Sequence, residues 1–448
     1  MIPKIIKSYL LLVAAVLSCS LAYGQATSVP VVPPDSIGPD QSRPFSWVVV
    51  PADGSSSLNL VNAPGQGTCN SSNPCYYTEA NIWTAYGLPP LQARGKYGQG
   101  MTIGIVDAYY DAQTAANLQA FSTAWGLPMG TSGSSINCTT TPTLTIVSQT
   151  GGSPSGVAFN ANWALEINMD VQQAHSMAPC ANILLVATNN NSNANLYTGV
   201  KYAYAHADIV TNSWGGGEGA SELSADANFS PSTVPLLFSA GDTGAITEYP
   251  CTSPYVTCVG GTTLLTTASS FRTSEYVWND GSANGATGGG CSSAEGKPSY
   301  ATGFTESICG SARGVPDVGA LADEFTGVTI YLGANVEGTA NLYCCIGGTS
   351  LASPLIAGIL TNVNGARVAG GKAKLGSGLN SLLYQAASYS PTGVSSQPAP
   401  YGSSYRSFYF DVYTGNSGFP ATTYWDRTTG LGVPAFSAIG NYFIANVP

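Results

Sequence analysis

Apolar runs alternate with amphipathic stretches from residue 101 to residue 239. Apolar runs of strand length lie at residues 101–108, 183–187, 209–213 and 234–239. Stretches with helical spacing lie at residues 112–125, 163–175, 197–206 and 220–228. Strands that are apolar throughout are typical of a parallel sheet covered on both faces. The pattern therefore predicts one large α/β domain with a doubly wound, mostly parallel sheet and helices on both faces.

The stretch from Gly347 to Leu360 places a serine at a loop-to-helix junction. Two glycines precede Thr349 and Ser350, and an apolar run with Pro354 near its start follows. Glycines let the backbone approach a ligand closely, and an apolar run with an early proline favours a buried helix. The N–H groups at such a helix start can stabilise an oxyanion beside a serine nucleophile. The alternative is a tight turn in which Thr349 or Ser350 caps the helix.

A serine nucleophile needs a base, and histidine is scarce in this chain. The two histidines, His175 and His206, lie outside any His-Gly context, so we interpret both as structural. Glu166 and Asp170 are four residues apart in a predicted helix and therefore share one face. Like charges at this spacing repel, and a close carboxylate pair raises the pKa of one member. The apolar neighbours favour a buried pair over two solvated acids on an outer face.

Asp242 is a further candidate. It follows an apolar strand that ends at Ser239, and Gly241 and Gly244 flank it. Open α/β sheets place their sites in such loops at the carboxyl ends of strands. The alternative is an aspartate that only shapes a turn.

These segments together resemble the sedolisins, or serine-carboxyl peptidases, which are subtilisin-fold enzymes active in acid. The resemblance covers about residues 76–445 and rests on motifs that follow one another in a fixed order. They are Glu166-x-x-x-Asp170, Ala174-His175-Ser176-Met177-Ala178-Pro179, Asn212-Ser213-Trp214-Gly215, Ser239-Ala240-Gly241-Asp242-x-Gly244, Ser253-Pro254-Tyr255-Val256-Thr257-x-Val259-Gly260-Gly261-Thr262, Arg313-Gly314-Val315-Pro316-Asp317-Val318 and Gly348-Thr349-Ser350-x-Ala352-x-Pro354. By resemblance, the segment around Trp214 lines the substrate groove; the alternative is an ordinary core tryptophan.

The resemblance implies a catalytic role for four residues. Ser350 would be the nucleophile, Glu166 the general base, Asp170 a proton-sharing partner of Glu166, and Asp242 the oxyanion-hole residue. A carboxyl base that holds a shared proton works in acid, and Asp242 can donate a hydrogen bond only while protonated. Asp107 falls where a subtilisin carries its triad aspartate, but the chain has no His-Gly-Thr segment, so we expect Asp107 to be structural.

The resemblance also implies one structural calcium ion near the C-terminus. The family binds Ca²⁺ there through two aspartates and backbone oxygens, which are hard ligands suited to this cation. The matching positions are the carboxylates of Asp411 and Asp426 and the carbonyls of Val412, Thr422 and Tyr424. The family often has glycine at the last two of these carbonyl positions. Loop acids without a metal are the alternative.

The N-terminal residues predict export. Lys4 and Lys7, an apolar run and small residues up to Gly24 are typical of a secretory signal peptide, too short to span a membrane. Cys19 leaves a lipid-anchored or periplasmic alternative. Residues 25–65, rich in Pro, Ser and Gly, predict an extended N-terminal arm in place of the family's large prodomain. Residues 66–448 would then form the peptidase domain, including the calcium-binding region.

Composition agrees with a secreted protein. Only 8% of the 448 residues are charged and the net charge is −10, which argues against nucleic acid as a partner. Of the eleven cysteines, one lies in the predicted signal peptide. Spacing suggests the local pairs Cys69–Cys75, Cys251–Cys258 and Cys291–Cys309, and a longer-range pair Cys138–Cys180 that leaves Cys344 and Cys345. Sequence alone does not decide the connectivity.

The sequence thus predicts a secreted, monomeric, calcium-stabilised serine endopeptidase that acts on proteins or peptides in acid. One rival is a catalytically idle relative that binds a peptide or a surface partner, and the short N-terminal arm favours it. Another is an extracellular structural or adhesive protein, but the chain has no fixed-period repeat.

Overall fold

The computed structural model describes residues 26–33, 36–50, 75–89, 97–129, 134–281, 285–338 and 340–448. Its strands are β1 Thr27–Pro30, β2 Arg43–Pro44, β3 Trp47–Val50, β4 Thr102–Ala108, β5 Leu144–Ser148, β6 Asn182–Thr188, β7 Ile209–Asn212, β8 Trp214–Gly217, β9 Leu236–Ser239, β10 Glu248–Tyr249, β11 Thr257–Thr266, β12 Arg272–Val277, β13 Gly290–Gly296, β14 Ala312–Val315, β15 Val318–Leu321, β16 Val328–Leu332, β17 Asn341–Gly347, β18 Tyr409–Phe410 and β19 Val433–Pro434. Its α-helices are α1 Glu79–Tyr86, α2 Thr114–Trp125, α3 Ala161–Met177, α4 Asn193–His206, α5 Glu222–Ala225, α6 Glu306–Cys309, α7 Ala334–Glu337, α8 Thr349–Ala369, α9 Leu379–Ala387, α10 Tyr405–Phe408 and α11 Phe436–Asn446. The predicted signal peptide lies outside these residues.

A central, mostly parallel sheet confirms the predicted α/β architecture. Its strands follow the order β12-β11-β9-β7-β4-β6-β5, and β15 also pairs with β11. All of these pairings are parallel except that of β12, an antiparallel edge strand. Helices α2, α3, α4 and α5 lie in the connections between successive parallel strands from β4 to β9. The carboxyl ends of β4, β7 and β9 therefore lie at one edge of the sheet, where a site is expected.

Two buried helices, α3 and α8, pack against each other and carry the main candidates. The side chain of Asn160 caps α3 by accepting hydrogen bonds from two backbone N–H groups of its first turn. Close packing is possible because Gly358 has no side chain: an added Cβ would lie only 2.5 Å from the Cβ of Met177. The α3 face with Glu166 and Asp170 and the apolar run of α8 after Ser350, both expected to be buried, are therefore in the core.

The described part of the predicted N-terminal arm is packed onto the domain. β3 pairs with both β1 and β17, and β2 pairs with β8. The side chains of Arg43, Phe45 and Trp47 are all buried. A Pro- and Ser-rich composition does not distinguish a free arm from one that adds strands to a neighbouring sheet, so this packing was not predictable from the sequence.

Between cysteines that are both described, four disulfides join Cys138 to Cys180, Cys251 to Cys258, Cys291 to Cys309 and Cys344 to Cys345. They match the pairings suggested by the spacing. The remaining suggested pair, Cys69–Cys75, includes Cys69, which lies outside the described residues. Within the described ranges, no helix is both long and apolar enough to cross a lipid bilayer.

Candidate active site

Ser350 is the second residue of α8 and is fully buried. The preceding Gly348 has φ 104°, a conformation that favours glycine. A Cβ at this glycine would lie 2.0 Å from the carbonyl oxygen of Phe45 and 2.7 Å from Oδ2 of Asp242, so both atoms border the same small space. The backbone N–H of Ser350, free at the helix start, donates to the Phe45 carbonyl at 3.0 Å. The expected loop-to-helix junction is therefore present.

The Ser350 hydroxyl lies between the end of β7 and the N-terminal segment. Its Oγ donates to the carbonyl oxygen of Ser213 at 3.0 Å and accepts the Phe45 N–H at 2.9 Å. Pro354 has no N–H with which to bond the Ser350 carbonyl four residues earlier. The Ser213 hydroxyl, 3.1 Å from that carbonyl, takes the place of the missing donor. Because Pro354 leaves the Ser350 carbonyl without its helical donor, this carbonyl accepts from the Ser213 hydroxyl and holds Ser213 beside the nucleophile.

Glu166 and Asp170 lie one turn apart on α3 and are fully buried, as predicted. Asp170 Oδ1 is 2.8 Å from the Ser213 hydroxyl, which also contacts the Ser350 carbonyl. A hydroxyl has one hydrogen to donate. Both contacts are satisfied together when Asp170 is protonated and donates to the Ser213 hydroxyl, which then donates to the Ser350 carbonyl. The geometry therefore favours a protonated Asp170.

A third buried carboxyl, Asp107 at the end of β4, lies beside this pair. Burial raises the pKa of Asp107 to about 8, and neither of its oxygens has a hydrogen-bond partner among the described residues. Burial, and next the charge of Asp107, raises the pKa of Glu166 and of Asp170 well above the usual range. The nearby hydroxyls of Ser46 and Ser350 partly offset the rise at Glu166. The sequence interpretation treated Asp107 as structural, but it belongs to the electrostatics of the acid pair.

Asp242 lies in the loop after β9, next to the start of α8. Its Oδ1 accepts the Thr349 N–H at 2.8 Å and the Thr349 hydroxyl at 2.7 Å. Its Oδ2 is buried and has no hydrogen-bond partner among the described residues. Burial raises the pKa of Asp242 to about 8, against the opposing effects of Thr349 and Arg43. A protonated Oδ2 can therefore donate into the space that holds the Phe45 carbonyl.

Trp214 and the two histidines have structural contacts. The indole of Trp214 is buried and donates to the Val106 carbonyl at 2.7 Å, so its side chain is a core residue while its backbone pairs with β2. His175 is buried against the Pro128 carbonyl, and burial lowers its pKa to about 4. His206 contacts the carbonyl of Tyr202 on the same helix.

The predicted calcium ligands surround one loop. Tyr424 N–H donates to Asp411 Oδ1 at 2.8 Å, and Thr422 N–H donates to Asp426 Oδ2 at 3.0 Å. Tyr424 has φ 72°, a left-handed conformation that suits the glycine common at this position in the family. The loop thus brings both carboxylates to the same short segment.

Oxygen atoms at this loop fit a cation. Asp411 Oδ2 is buried without a hydrogen-bond donor, and the half-exposed Arg406 guanidinium lies 3.5 Å away. Within the described residues, no hydrogen bond ends on the carbonyl of Val412, Thr422 or Tyr424. Uncommitted carbonyls beside carboxylates are the donor set that calcium prefers.

A separate acidic trio was not anticipated. Asp280, Asp323 and Glu324 bring ligand oxygens within 4.8 Å of one another. Burial raises the pKa of Asp280 to about 8, and its carboxyl hydrogen-bonds that of Asp323. A shared proton accounts for this contact. Spacing could have indicated the adjacent pair Asp323 and Glu324, but their contact with Asp280 depends on tertiary packing.

Comparison with known proteins agrees with this geometry. The profile of the subtilase family (Peptidase S8) matches residues 155–397. Kumamolisin from Bacillus sp. (strain MN-32) is 30% identical over 400 residues, covering 81% of this chain and 63% of kumamolisin. Sedolisin from Pseudomonas sp. (strain 101) is 29% identical over 420 residues, covering 85% of this chain and 62% of sedolisin. The chain therefore spans about three fifths of the length of these two relatives.

A solved structure is similar as well. The structure of Pseudomonas sedolisin, a serine-carboxyl proteinase complexed with two molecules of pseudo-iodotyrostatin, matches with TM-score 0.67 and 25% identity, covering 85% of this chain and all of that one. The chain belongs to the subtilase family, and within it is similar to the sedolisins.

Proposed function

We propose that this protein is an acid-acting serine-carboxyl endopeptidase that is exported from the cell and hydrolyses proteins or peptides. The observation that carries the proposal is the convergence of Glu166, Asp170 and Asp242 on the N-terminus of α8, where Ser350 lies. Similarity to kumamolisin and sedolisin supports the same reaction class. Disulfides, which form in oxidising compartments, support export.

The proposed reaction begins with attack of Ser350 Oγ on a peptide carbonyl. Glu166 takes the hydroxyl proton and later delivers it to the leaving nitrogen, and water then hydrolyses the ester. The Ser350 N–H and protonated Asp242 donate to the oxygen that becomes negative. The neighbouring carboxyls of Asp107, Glu166 and Asp170 cannot all be ionised at once, because their charges repel. In acid, Asp107 and Asp170 are protonated, and the single negative charge of the cluster can lie on Glu166, which then acts as the base.

The pH dependence of Asp242 tests this arrangement. The pKa of Asp242 is raised to about 8, so its donating, protonated form is present below that pH and is lost above it. In Asp242→Asn, the amide can donate at every pH while its oxygen still accepts from Thr349. We expect the variant-to-parent ratio of kcat/KM on a denatured protein to rise about tenfold between about pH 6 and about pH 9.

Asp242→Ala is the matched control, since it has no donor at any pH. Its kcat/KM should lie well below that of Asp242→Asn throughout, and neither variant should show the parent's fall above about pH 8. A ratio for Asp242→Asn that stays flat across this range would contradict the role of Asp242. A folded parent chain that cleaves nothing at acid or neutral pH would instead favour the idle, peptide-binding relative.

We also propose that one calcium ion stabilises the C-terminal loop, held by the carboxylates of Asp411 and Asp426 and the carbonyls of Val412, Thr422 and Tyr424. The ion would neutralise two buried acids and tie the loop together. A chelator should then lower the melting temperature by on the order of 5 °C, and added Ca²⁺ should restore it.

Asp426→Asn provides the control for calcium, because it removes one charged ligand and should melt at a temperature that the chelator hardly changes. Melting is followed by circular dichroism, which does not depend on activity. An equal response to the chelator in the parent and in Asp426→Asn would exclude this site.

A further inference from the structure

The acidic trio forms where β12 and β15 end on either side of β11. The last residues of both strands pair with the same residue of β11, Thr262. Asp280 lies three residues after the end of β12, and Asp323 and Glu324 begin two residues after the end of β15. Strand pairing therefore brings acids from distant parts of the chain to one place.

The oxygen atoms of the trio are close enough for one ion to reach all three residues. One ligand oxygen from each lies within 4.8 Å of the others. Calcium bonds oxygens at about 2.4 Å, so two of its ligands can lie up to about 4.8 Å apart. Asp323 accepts from the Thr263 hydroxyl at 2.8 Å and from the Phe325 N–H at 2.7 Å. Asp280 accepts from the Trp278 indole at 2.8 Å, so both aspartates are held in place.

Two side chains at the trio are buried without a hydrogen-bond partner among the described residues. They are the carboxyl of Glu324, with both of its oxygens unbonded, and the hydroxyl of Ser28. Burial, and next the charges of Asp280 and Asp323, raise the pKa of Glu324 well above its usual range, and the nearby Ser28 hydroxyl partly offsets this rise. Buried polar groups normally have partners. A ligand that contacts both side chains would supply the missing one.

Counter-charge is also missing at two of the three acids. Within the part of the chain that the structure describes, neither Asp323 nor Glu324 forms an ion pair. A buried carboxylate is costly unless a positive charge or a metal ion neutralises it. A cation among these oxygens would therefore satisfy both the charge and the unbonded atoms.

The trio lies next to the turn that carries Ser350. The Gly348 N–H, two residues before Ser350, donates to the Ala322 carbonyl at 2.5 Å. A Cβ added to Gly347 would lie only 2.5 Å from the backbone nitrogen of Glu324. The backbone of the trio is thus in direct contact with this turn, and an ion held by the trio would brace it.

We propose that the acidic trio and the Ser28 hydroxyl bind a second calcium ion, separate from the one proposed at the C-terminal loop. Asp280, Asp323 and Glu324 each supply a carboxylate oxygen, Ser28 supplies a neutral oxygen, and water completes the six to eight ligands that calcium takes. A set of oxygens without histidine or cysteine favours calcium over zinc or copper. This inference goes beyond the proposed peptidase function and does not depend on it.

The trio should bind calcium weakly, with a dissociation constant on the order of 1 mM. The ion has to displace the proton that Asp280 and Asp323 share, whereas the carbonyls of the C-terminal loop have no proton to lose. At trace calcium the trio therefore keeps its proton, and it fills only when millimolar calcium is added. A chelator consequently acts on the C-terminal loop alone.

Terbium luminescence tests the site in the full chain with Asp426→Asn as the background, where the C-terminal loop has lost a ligand. Terbium binds calcium sites and emits when a neighbouring tryptophan is excited, and Trp278 contacts Asp280 directly. At about pH 7 we expect emission that millimolar calcium displaces. Adding Glu324→Gln should lower this emission at least about fivefold, because the amide keeps the shape of the side chain but loses its charge.

Glu337→Gln is the matched control, since it also alters a buried carboxyl oxygen without a partner but lies in α7, outside the trio. Its emission should equal that of the background. Ser28→Ala removes only the neutral ligand and should raise the calcium concentration for half displacement at least about threefold. Without added ions, Glu324→Gln should melt no lower than the background in circular dichroism, because Glu324 has no hydrogen bond to lose.

The other outcomes overturn the site. Emission that is unchanged by Glu324→Gln, or that falls equally in Glu337→Gln, would mean that terbium binds elsewhere. Half displacement at the same calcium concentration in Ser28→Ala and in the background would exclude Ser28 as a ligand. A Glu324→Gln chain that melts lower than the background without ions would assign Glu324 a structural role instead. None of these measurements uses hydrolysis, so the peptidase proposal is tested separately.

Discussion

Replacing Ser350 by alanine is expected to abolish peptide hydrolysis, with kcat/KM falling by at least about 10⁴-fold. The variant keeps the buried carboxyls and the helix N-terminus but has no atom to form the acyl ester. It loses the hydrogen bonds that Ser350 Oγ makes with Ser213 and Phe45, which should cost about 1 kcal/mol of stability each. Hydrolysis of a denatured protein at about pH 4 measures the loss, and circular dichroism verifies the fold.

Ser353→Ala is the matched control on the same helix. Its hydroxyl is also buried and hydrogen-bonded, to Thr211 Oγ at 2.8 Å, so its removal has a similar structural cost. We expect this variant to retain most of the activity. A Ser350→Ala chain as active as the parent would exclude Ser350 as the nucleophile.

Replacing Glu166 by glutamine is expected to lower kcat by at least about 10³-fold with little change in KM. The amide has the same shape as the carboxyl but cannot take the proton from Ser350. Burial and Asp107 raise the pKa of Glu166 in the folded protein above its value in the unfolded chain. The contribution of Glu166 to stability is therefore fully present below the pKa of the unfolded chain and is lost as pH rises through the pKa of the folded protein. Glutamine removes this loss, and the variant should melt no lower than the parent at neutral pH.

Glu79→Gln is the control for Glu166, since burial also raises the pKa of Glu79, to about 7, at the start of α1. That variant should hydrolyse protein at close to the parental rate. Full activity in Glu166→Gln would mean that another group accepts the proton, and Asp107 would be the first to examine because it raises the pKa of Glu166.

Local pattern was enough to predict the elements that carry the candidates. The four-residue spacing of Glu166 and Asp170 places both on one face of a helix wherever that helix packs, because α-helical geometry fixes the relation. Likewise, the glycines before Ser350 and the apolar run after it indicate a loop followed by a buried helix. Short loops also made the pair Cys251–Cys258 a good suggestion, since nearby cysteines meet without help from distant parts of the chain.

Position in the sheet limited what could be predicted about Asp107. Its sequence context shows only an aspartate at the end of an apolar strand. Its effect on Glu166 arises because β4 is a central strand and α3 carries the acid pair close to it. Electrostatic coupling depends on distance and burial, and neither is encoded in local periodicity.

The sequence by itself determined the α/β class, the buried acidic helix and the serine at the start of α8, because short-range geometry and hydrophobic pattern specify them. Only the tertiary structure decided that Phe45 lies against Ser350, more than 300 residues away along the chain, with β2 added to the edge of β8. Strand addition uses backbone hydrogen bonds that any extended segment can offer, so composition gives no sign of which segment fills the cleft. That choice comes from packing on both sides of the segment.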